Sequence, residues 1–398
     1  LYDDIPSGSY AAGKVIVALN RNGGPSAGPR YDLHHILDGL DYEKAELLFH
    51  SEKSHGENGT GDILLVYLKN KHPSAVLDAI ETLSGHPHVR YAEPDYIETL
   101  HAVPNDPLYN QLWGTQKIDA PLAWNFTTGS SKVSVGVIDT GIDFRHPDIR
   151  RNMWVSPNGR LANGWNFADN DRNSIDTDGH GTHVAGTVGA VGNNCIGITG
   201  VCQHVKVVSM KFGLDTASAI AAISFANRFN IPILNASWGG RGYSKALRDA
   251  IQKYNGLFIA SAGNSAEDND ITPVYPASYD CDNIISVAAT TPENTLARFS
   301  NYGAESVDLA APGTDILSLG LQREYSTQNG TSMAAPHVAG AAALLKSYLP
   351  NLTTLYLKDM ILSSAVKVPQ LAGKVSTGGM LNVNAMFERM NRLRRSSI

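Results

Sequence analysis

Short apolar runs recur along the second three-quarters of this 398-residue chain, and helix-patterned stretches separate them. Residues 133–138, 206–210, 231–235, 257–261 and 284–288 read as strands. Residues from His180 onward, 217–229, 245–254 and 332–348 read as helices. A strand that is apolar almost throughout, rather than at alternate positions, is one buried on both faces. Strands of that kind alternating with helices build an α/β fold, a parallel sheet flanked by helices on both faces. Such a sheet also fixes where chemistry can sit, namely outside the carboxyl ends of its strands.

Residues 1–101 follow a different pattern. Strand-like runs at 14–19, 46–49, 63–68 and 89–93 alternate with helical stretches at 31–37 and 73–83, the latter with Pro73 near its start. A Gly/Pro-rich loop at 20–30 and a polar stretch at 51–61 complete the unit. The order βαββαβ describes a small α+β, ferredoxin-like sandwich, so a two-unit chain is expected, 1–101 followed by 102–398. The net charge of −6, from 32 basic and 38 acidic residues, gives no reason to expect a nucleic-acid partner. No run of eighteen apolar residues is present to cross a membrane.

Three residues stand where strands stop or helices start. Asp139 follows the run 133–138, and Asp139-Thr140-Gly141 breaks the strand there, leaving a carboxylate at its C-terminal end. His180 lies among small residues in Asp178-Gly179-His180-Gly181-Thr182-His183. Ser332 lies in Asn329-Gly330-Thr331-Ser332-Met333-Ala334, where a helix N-terminus favours developing negative charge. A serine hydroxyl is a poor nucleophile at neutral pH and needs a base. Imidazole takes that proton and returns it to the leaving group, while a carboxylate fixes the ring's tautomer. Asn264, just past the run 257–261, can donate its amide to an oxyanion.

Taken singly, each residue has a duller reading: a turn former, a helix cap, a packed histidine. His183 and His337 keep that reading, and no His-Glu-x-x-His accompanies them to suggest zinc. An esterase of the α/β-hydrolase kind would place its serine in Gly-x-Ser-x-Gly with histidine last in the chain. Here Gly330-Thr331-Ser332-Met333-Ala334 lacks the second glycine, and His180 precedes Ser332. A non-catalytic scaffold, or one held permanently inhibited by its first unit, stays open on sequence alone. Cys195 and Cys202 are near enough in sequence for a disulfide, although small buried thiols are the simpler reading of all three cysteines.

The segments around Asp139, His180 and Ser332, in that order, together with Asn264 and Asn235-Ala236-Ser237-Trp238-Gly239-Gly240, resemble those of the subtilisin-like serine proteases (subtilases). The resemblance spans nearly everything from Pro104 onward. It implies a secreted, monomeric, self-processing endopeptidase with Asp139, His180 and Ser332 as its triad and Asn264 in its oxyanion hole. Residues 1–101 then correspond to a propeptide that assists folding and lays its tail, 95–101, in the cleft, with self-cleavage between Leu100 and Pro104. Protein or peptide substrates would lie along Ser237, Trp238 and Gly239 on one side and 212–216 on the other. Val274 would stand near the floor of the P1 pocket, and a broad preference is expected.

The resemblance also implies structural calcium. Calcium takes six to eight oxygens from irregular loops. Asp106, Asp148 and Asn194, the last in the loop 191–198, match one family site. Asp169 and Asp171, with Asp176 nearby, form a second candidate.

Overall fold

The structure, a computed structural model, describes residues 10–20, 32–50, 60–97 and 103–396. The chain divides into two compact units, Leu1–Leu100 and His101–Ile398. The loop read at 20–30, most of the stretch at 51–61, and the span read for self-cleavage lie largely outside the described residues.

The first unit runs β1 (Tyr10–Asn20), α1 (Leu33–Ile36), β2 (Tyr42–Phe49), β3 (Thr60–Leu68), α2 (Pro73–Ser84) and β4 (Val89–Tyr96). Its sheet is antiparallel in the order β2-β3-β1-β4. The two-residue period of a strand puts Val15, Val17 and Leu19 on one face. Leu64, Val66 and Leu68 join them, and Val76, Ile80 and Leu83 of α2 cover the set. Pro73 opens α2, where its missing N–H costs nothing. Asp32 caps α1 by accepting from the His35 N–H.

In the second unit, two short helices, α3 (Trp113–Lys117) and α4 (Ala120–Ala123), precede β5 (Gly129–Asp139). Then follow β6 (Gly164–Asn166), α5 (His180–Gly189), β7 (His204–Lys211), α6 (Thr216–Arg228), β8 (Ile233–Ala236), α7 (Lys245–Gln252), β9 (Leu257–Ser261) and β10 (Ile284–Thr290). The chain closes with β11 (Leu309–Pro312), the hairpin β12 (Ile316–Leu319) and β13 (Tyr325–Gln328), α8 (Thr331–Tyr348), α9 (Thr354–Ser363), β14 (Val366–Lys367), β15 (Gly379–Met380) and α10 (Val383–Ser396). The main sheet has the order β14-β15-β11-β10-β9-β8-β5-β7-β6 and is parallel except for its β14–β15 edge.

Neighbouring residues of one strand serve opposite faces. Val207, Ile233 and Ile259 join the core beneath α5 and α8, whereas Val208, Leu234 and Phe258 join the one beneath α6 and α7. That double burial is why these strands read as continuous apolar runs. The strand expected at 231–235 begins only at Ile233, because Pro232 has no N–H for the ladder. None of the three cysteines is in a disulfide, and Cys195 is exposed, not buried. Its left-handed backbone, φ +61°, sits in a surface loop.

The strand order positions the site. From β5 the chain steps to β6 and β7 on one side, then returns to lay β8 on the other. The crevice between the ends of β5 and β8 is therefore the topological switch point of the sheet.

Candidate active site

Asp139 is the last residue of β5 and is 2% exposed. Its Oδ1 accepts from the Thr140 N–H at 2.8 Å and lies 2.7 Å from His180 Nδ1. A carboxylate oxygen can only accept, so Nδ1 carries the proton and Nε2 keeps its lone pair. Oδ2 has no hydrogen-bond partner among the described residues.

His180 opens α5, and local chemistry fixes that helix start. Gly179 precedes it at φ +106°, a conformation that side chains rarely adopt. The Asp176 carboxylate accepts from the N–H groups of Asp178, Gly179 and Thr182 and from the Thr182 hydroxyl. Asp176 is thus committed to the helix N-terminus. Gly181 lets the helix approach: a Cβ there would lie 2.2 Å from the Gly141 carbonyl oxygen and 3.0 Å from Asp139 Cβ. Burial is the largest influence on the His180 ring and pulls its pKa down. The hydrogen bond to Asp139 and the charges of Asp139, Asp178 and Asp176 outweigh it, leaving the ring above its ordinary value. Its side chain remains 30% exposed, open to a reacting partner.

Ser332 is the second residue of α8 and is 8% exposed. Pro336 sits inside that helix and has no N–H to give the carbonyl of Ser332, four residues earlier. Ser237 takes the place of the missing donor. Its hydroxyl donates to the Ser332 carbonyl at 2.8 Å, and the Ser332 hydroxyl donates to the Ser237 carbonyl at 3.0 Å. Asn235 Nδ2 in turn donates to the Ser237 hydroxyl at 2.9 Å. Ser237 follows β8, whose Ala236 pairs with Ile138 of β5. Adjacent strands lie about 4.8 Å apart, so the residue that holds Ser332 neighbours the residue that holds His180. No hydrogen bond joins Ser332 to His180 among the described residues.

Asn264 is exposed just beyond β9. Its Oδ1 accepts from both the N–H and the hydroxyl of Thr331, each at 2.9 Å. With the oxygen clamped, the Nδ2 donors are turned away, without a partner among the described residues. The loop carrying Asn264 is stiffened by the buried Asn301, whose Oδ1 accepts from the N–H groups of Ser265 and Glu267. Thr331 and Asn301 were not singled out from sequence. Thr331 beside Ser332 was visible there, but its partner lies 67 residues away.

The residues expected to face substrate divide. The Ser237 hydroxyl is committed to Ser332, and the Trp238 indole donates to the Ile138 carbonyl at 2.8 Å and packs on Phe212. Their side chains are supports. What stays open is main chain: no backbone–backbone bond uses the N–H or C=O of Trp238 or Gly239 among the described residues. On the other side, 212–216 forms a bend without a strand, with Asp215 capping α6 and Leu214 exposed at φ +57°. His183 and His337 are buried, each pushed down to about 4 by burial, and each bonds a carbonyl. They remain packing residues.

Asp106 and Asp148 are buried, and one loop wraps both. Asp106 accepts from the N–H groups of Asn193 and Asn194, and Asp148 from Asn194 Nδ2, the Ile198 N–H and the Tyr325 hydroxyl. Burial pushes the Asp148 carboxyl up to about 6, and the Asp106 charge adds to it. Neither forms an ion pair with Lys or Arg among the described residues. Two buried carboxylates without a cationic side chain beside them supply the hard oxygen charge that a calcium ion takes, although the partners they have in this structure are N–H and O–H donors. Asp169 and Asp171 instead share the amide of Asn166, at 2.9 and 3.3 Å, in an exposed loop.

The model of the subtilase family matches residues 130–387. The chain is 36% identical over 316 residues to the thermophilic serine proteinase of Bacillus sp. (strain AK1), covering 77% of this chain and 75% of that protein. It is 37% identical over 253 residues to thermitase of Thermoactinomyces vulgaris (61% and 85%) and 36% identical over 327 residues to subtilisin E of Bacillus subtilis (strain 168) (78% and 79%). Among solved structures, a protease from Pseudoalteromonas arctica PAMC 21717 superposes with TM-score 0.62 at 28% identity, over 72% of this chain and 98% of that one. An open parallel sheet with a histidine–carboxylate pair and a tethered serine at its switch point thus coincides with close sequence kinship, and the chain belongs to the subtilase family of subtilisin-like serine endopeptidases.

Proposed function

We propose that the protein is made as a self-processing zymogen and hydrolyses peptide bonds through an acyl-enzyme on Ser332. The Ser332 hydroxyl leaves the Ser237 carbonyl, passes its proton to His180 Nε2 and attacks the peptide carbonyl carbon. Such bonds are commonly loose without substrate and tighten in its presence. Asn264 Nδ2 and the Ser332 N–H donate to the resulting oxyanion. As the C–N bond breaks, His180 gives its proton to the departing amine. Water then attacks the ester by the same route in reverse order of proton transfers, while Asp139 holds the ring throughout.

The observation that carries this reading is the junction of β5 and β8: one strand end fixes His180 and the next fixes Ser332. The unpaired main chain of Trp238 and Gly239 supports a substrate bound as an added strand, with affinity from backbone bonds and hence broad preference. Residues 1–101 are the propeptide in this proposal, its tail the first occupant of the cleft. Asp106, Asp148 and Asn194 would hold a calcium ion that fixes the 191–198 loop. Asp169 and Asp171 form a weaker second candidate. The mature enzyme acts as an extracellular monomer.

Intact-mass analysis of wild type beside Ser332→Ala, incubated with calcium, tests the proposal. Loss of approximately residues 1–101 in wild type alone, with labelling of Ser332 by a fluorophosphonate, is expected. Processing that persists in Ser332→Ala with other proteases excluded would overturn it, as would a wild-type chain that neither shortens nor labels.

A further inference from the structure

The triplet Asn-x-Ser/Thr, with x other than proline, is the acceptor for N-linked oligosaccharide in an exported chain. It occurs at Asn58, Asn125, Asn235, Asn329 and Asn351. Asn58 lies outside the described residues, and the fold separates the other four. Two are closed to a glycan. Asn235 is fully buried in β8, and its Nδ2 is committed to the hydroxyl of Ser237, the third member of its own triplet. Asn329 stands just before the nucleophile segment. Its Oδ1 accepts from the Asp315 N–H at 2.8 Å, and Thr331 of its triplet is fully buried. A glycan on Asn235 has no room in the fold, and one on Asn329 would stand beside Ser332.

Asn125 and Asn351 are open. Both are exposed in short connections, Asn125 between α4 and β5 and Asn351 between α8 and α9. Neither side chain has a hydrogen-bond partner among the described residues. The hydroxyls of Thr127 and Thr353 accept from the Gly129 and Tyr356 N–H groups, a use that begins only once the chain has folded. Both asparagines also lie at the end of the unit remote from the cleft. β5 starts at Gly129, shortly after Asn125, and reaches Asp139 about 33 Å further on, at about 3.3 Å per residue. α8 carries Ser332 in its first turn and ends at Tyr348, shortly before Asn351, a span of about 24 Å at about 1.5 Å per residue. The rings of Phe126 and Tyr348 meet at 6.2 Å, so the two connections adjoin.

We infer that Asn125 and Asn351 carry N-linked oligosaccharides in the active protein, at the end of the sheet opposite its catalytic residues. The acceptor is the side-chain amide nitrogen, and the donor is an oligosaccharide on a polyprenyl diphosphate. A bond forms from that nitrogen to the anomeric carbon, and the carbon–oxygen bond to the diphosphate breaks. The diphosphate leaves with the electron pair, and the amide loses one proton. The inference rests on the export included in the proposed function.

The test directs the full chain through a eukaryotic secretory pathway and recovers it from medium and from cells. Peptide N-glycosidase in heavy-oxygen water turns each glycan-bearing asparagine into labelled aspartate, which peptide mass analysis locates. Label at Asn125 and Asn351, and none at Asn235 or Asn329, is expected in the fraction that reacts with a fluorophosphonate. Asn125→Gln and Asn351→Gln should each remove the mass of one glycan and leave kcat/KM on a peptide substrate unchanged. A bare asparagine at 125 or 351 in the secreted chain would overturn the inference at that position. Label at Asn235 or Asn329 in the reactive fraction would overturn the argument from burial and placement. Glycans at the two sites on chain that never leaves the cells would support the inference while counting against extracellular action. A secreted, glycosylated chain that no fluorophosphonate labels would count against Ser332 as nucleophile alone.

Discussion

Replacing Ser237 by alanine removes one oxygen and almost no volume, yet strands two partners. The Ser332 carbonyl loses its donor, which Pro336 cannot replace, and Asn235 Nδ2 loses its acceptor. Asn235 is fully buried and Ser332 nearly so, leaving little access for water to compensate. A buried polar group left unpaired costs about 1–3 kcal/mol, so two cost roughly 2–6 kcal/mol. In a unit of this size that is a fall in Tm of about 3–10 °C. It should be read by calorimetry in a Ser332→Ala background, where self-digestion cannot intrude. In the active enzyme the loosened nucleophile should lower kcat by about ten- to a hundredfold. KM should change little, because the open main chain of Trp238 and Gly239 is untouched. Adding Pro336→Ala returns an N–H to the Ser332 carbonyl and should recover part of the lost stability, a non-additivity that a double-mutant cycle detects. A Tm within one degree of the parent and an unaltered kcat would refute the argument.

In the proposed mechanism the raised pKa of His180 sets the acid limb of activity, since only the neutral ring can accept the serine proton. The pH profile of kcat/KM should rise through a midpoint above 6.5, and Asp178→Asn, which removes one of the charges raising it, should move that midpoint down. His183 and His337, neutral down to about pH 4 in the folded chain, take up protons near 6.5 when unfolded. The unfolded state then binds more protons, so the Tm of Ser332→Ala should fall as pH drops from 6.5 toward 4, and replacing both with asparagine should flatten that slope. Calcium at a hundred times its Kd should add about 2.7 kcal/mol by mass action. Excess chelator should therefore lower Tm, Asp148→Asn should abolish the difference, and an unchanged melting curve would count against the ion site.

The sheet, and the places in it of the four candidate residues, were legible because each obeys a local rule. The strands are continuous apolar runs, and Asp139, His180, Asn264 and Ser332 stand where such runs or helices begin and end. What sequence did not show was the duty of the residues between them. Ser237 and Trp238 read as substrate contacts, but their side chains turn inward to Ser332 and Ile138. The signal for Ser237 was present as Pro336, since a proline four residues after a helical serine leaves that serine's carbonyl in need of a donor. Naming the donor required a contact across 95 residues, which no local pattern encodes. Asn301 escaped for the same reason: its partners Ser265 and Glu267 lie 36 and 34 residues away. Cys195 reads as a buried thiol but is exposed, because it lies in a surface loop between α5 and β7 and not on a packed strand or helix.

The reciprocal bond between Ser237 and Ser332 also governs when a newly made chain becomes dangerous to its neighbours. A hydrolase that could act while still unfolded would digest its own nascent copies. In the proposed mechanism the nucleophile is seated only after α8 has docked against the end of β8, and the base only after α5 has met β5. Both are non-local closures that folding reaches slowly. The hazard is therefore deferred to the finished tertiary structure, and an incompletely folded copy is prey rather than predator.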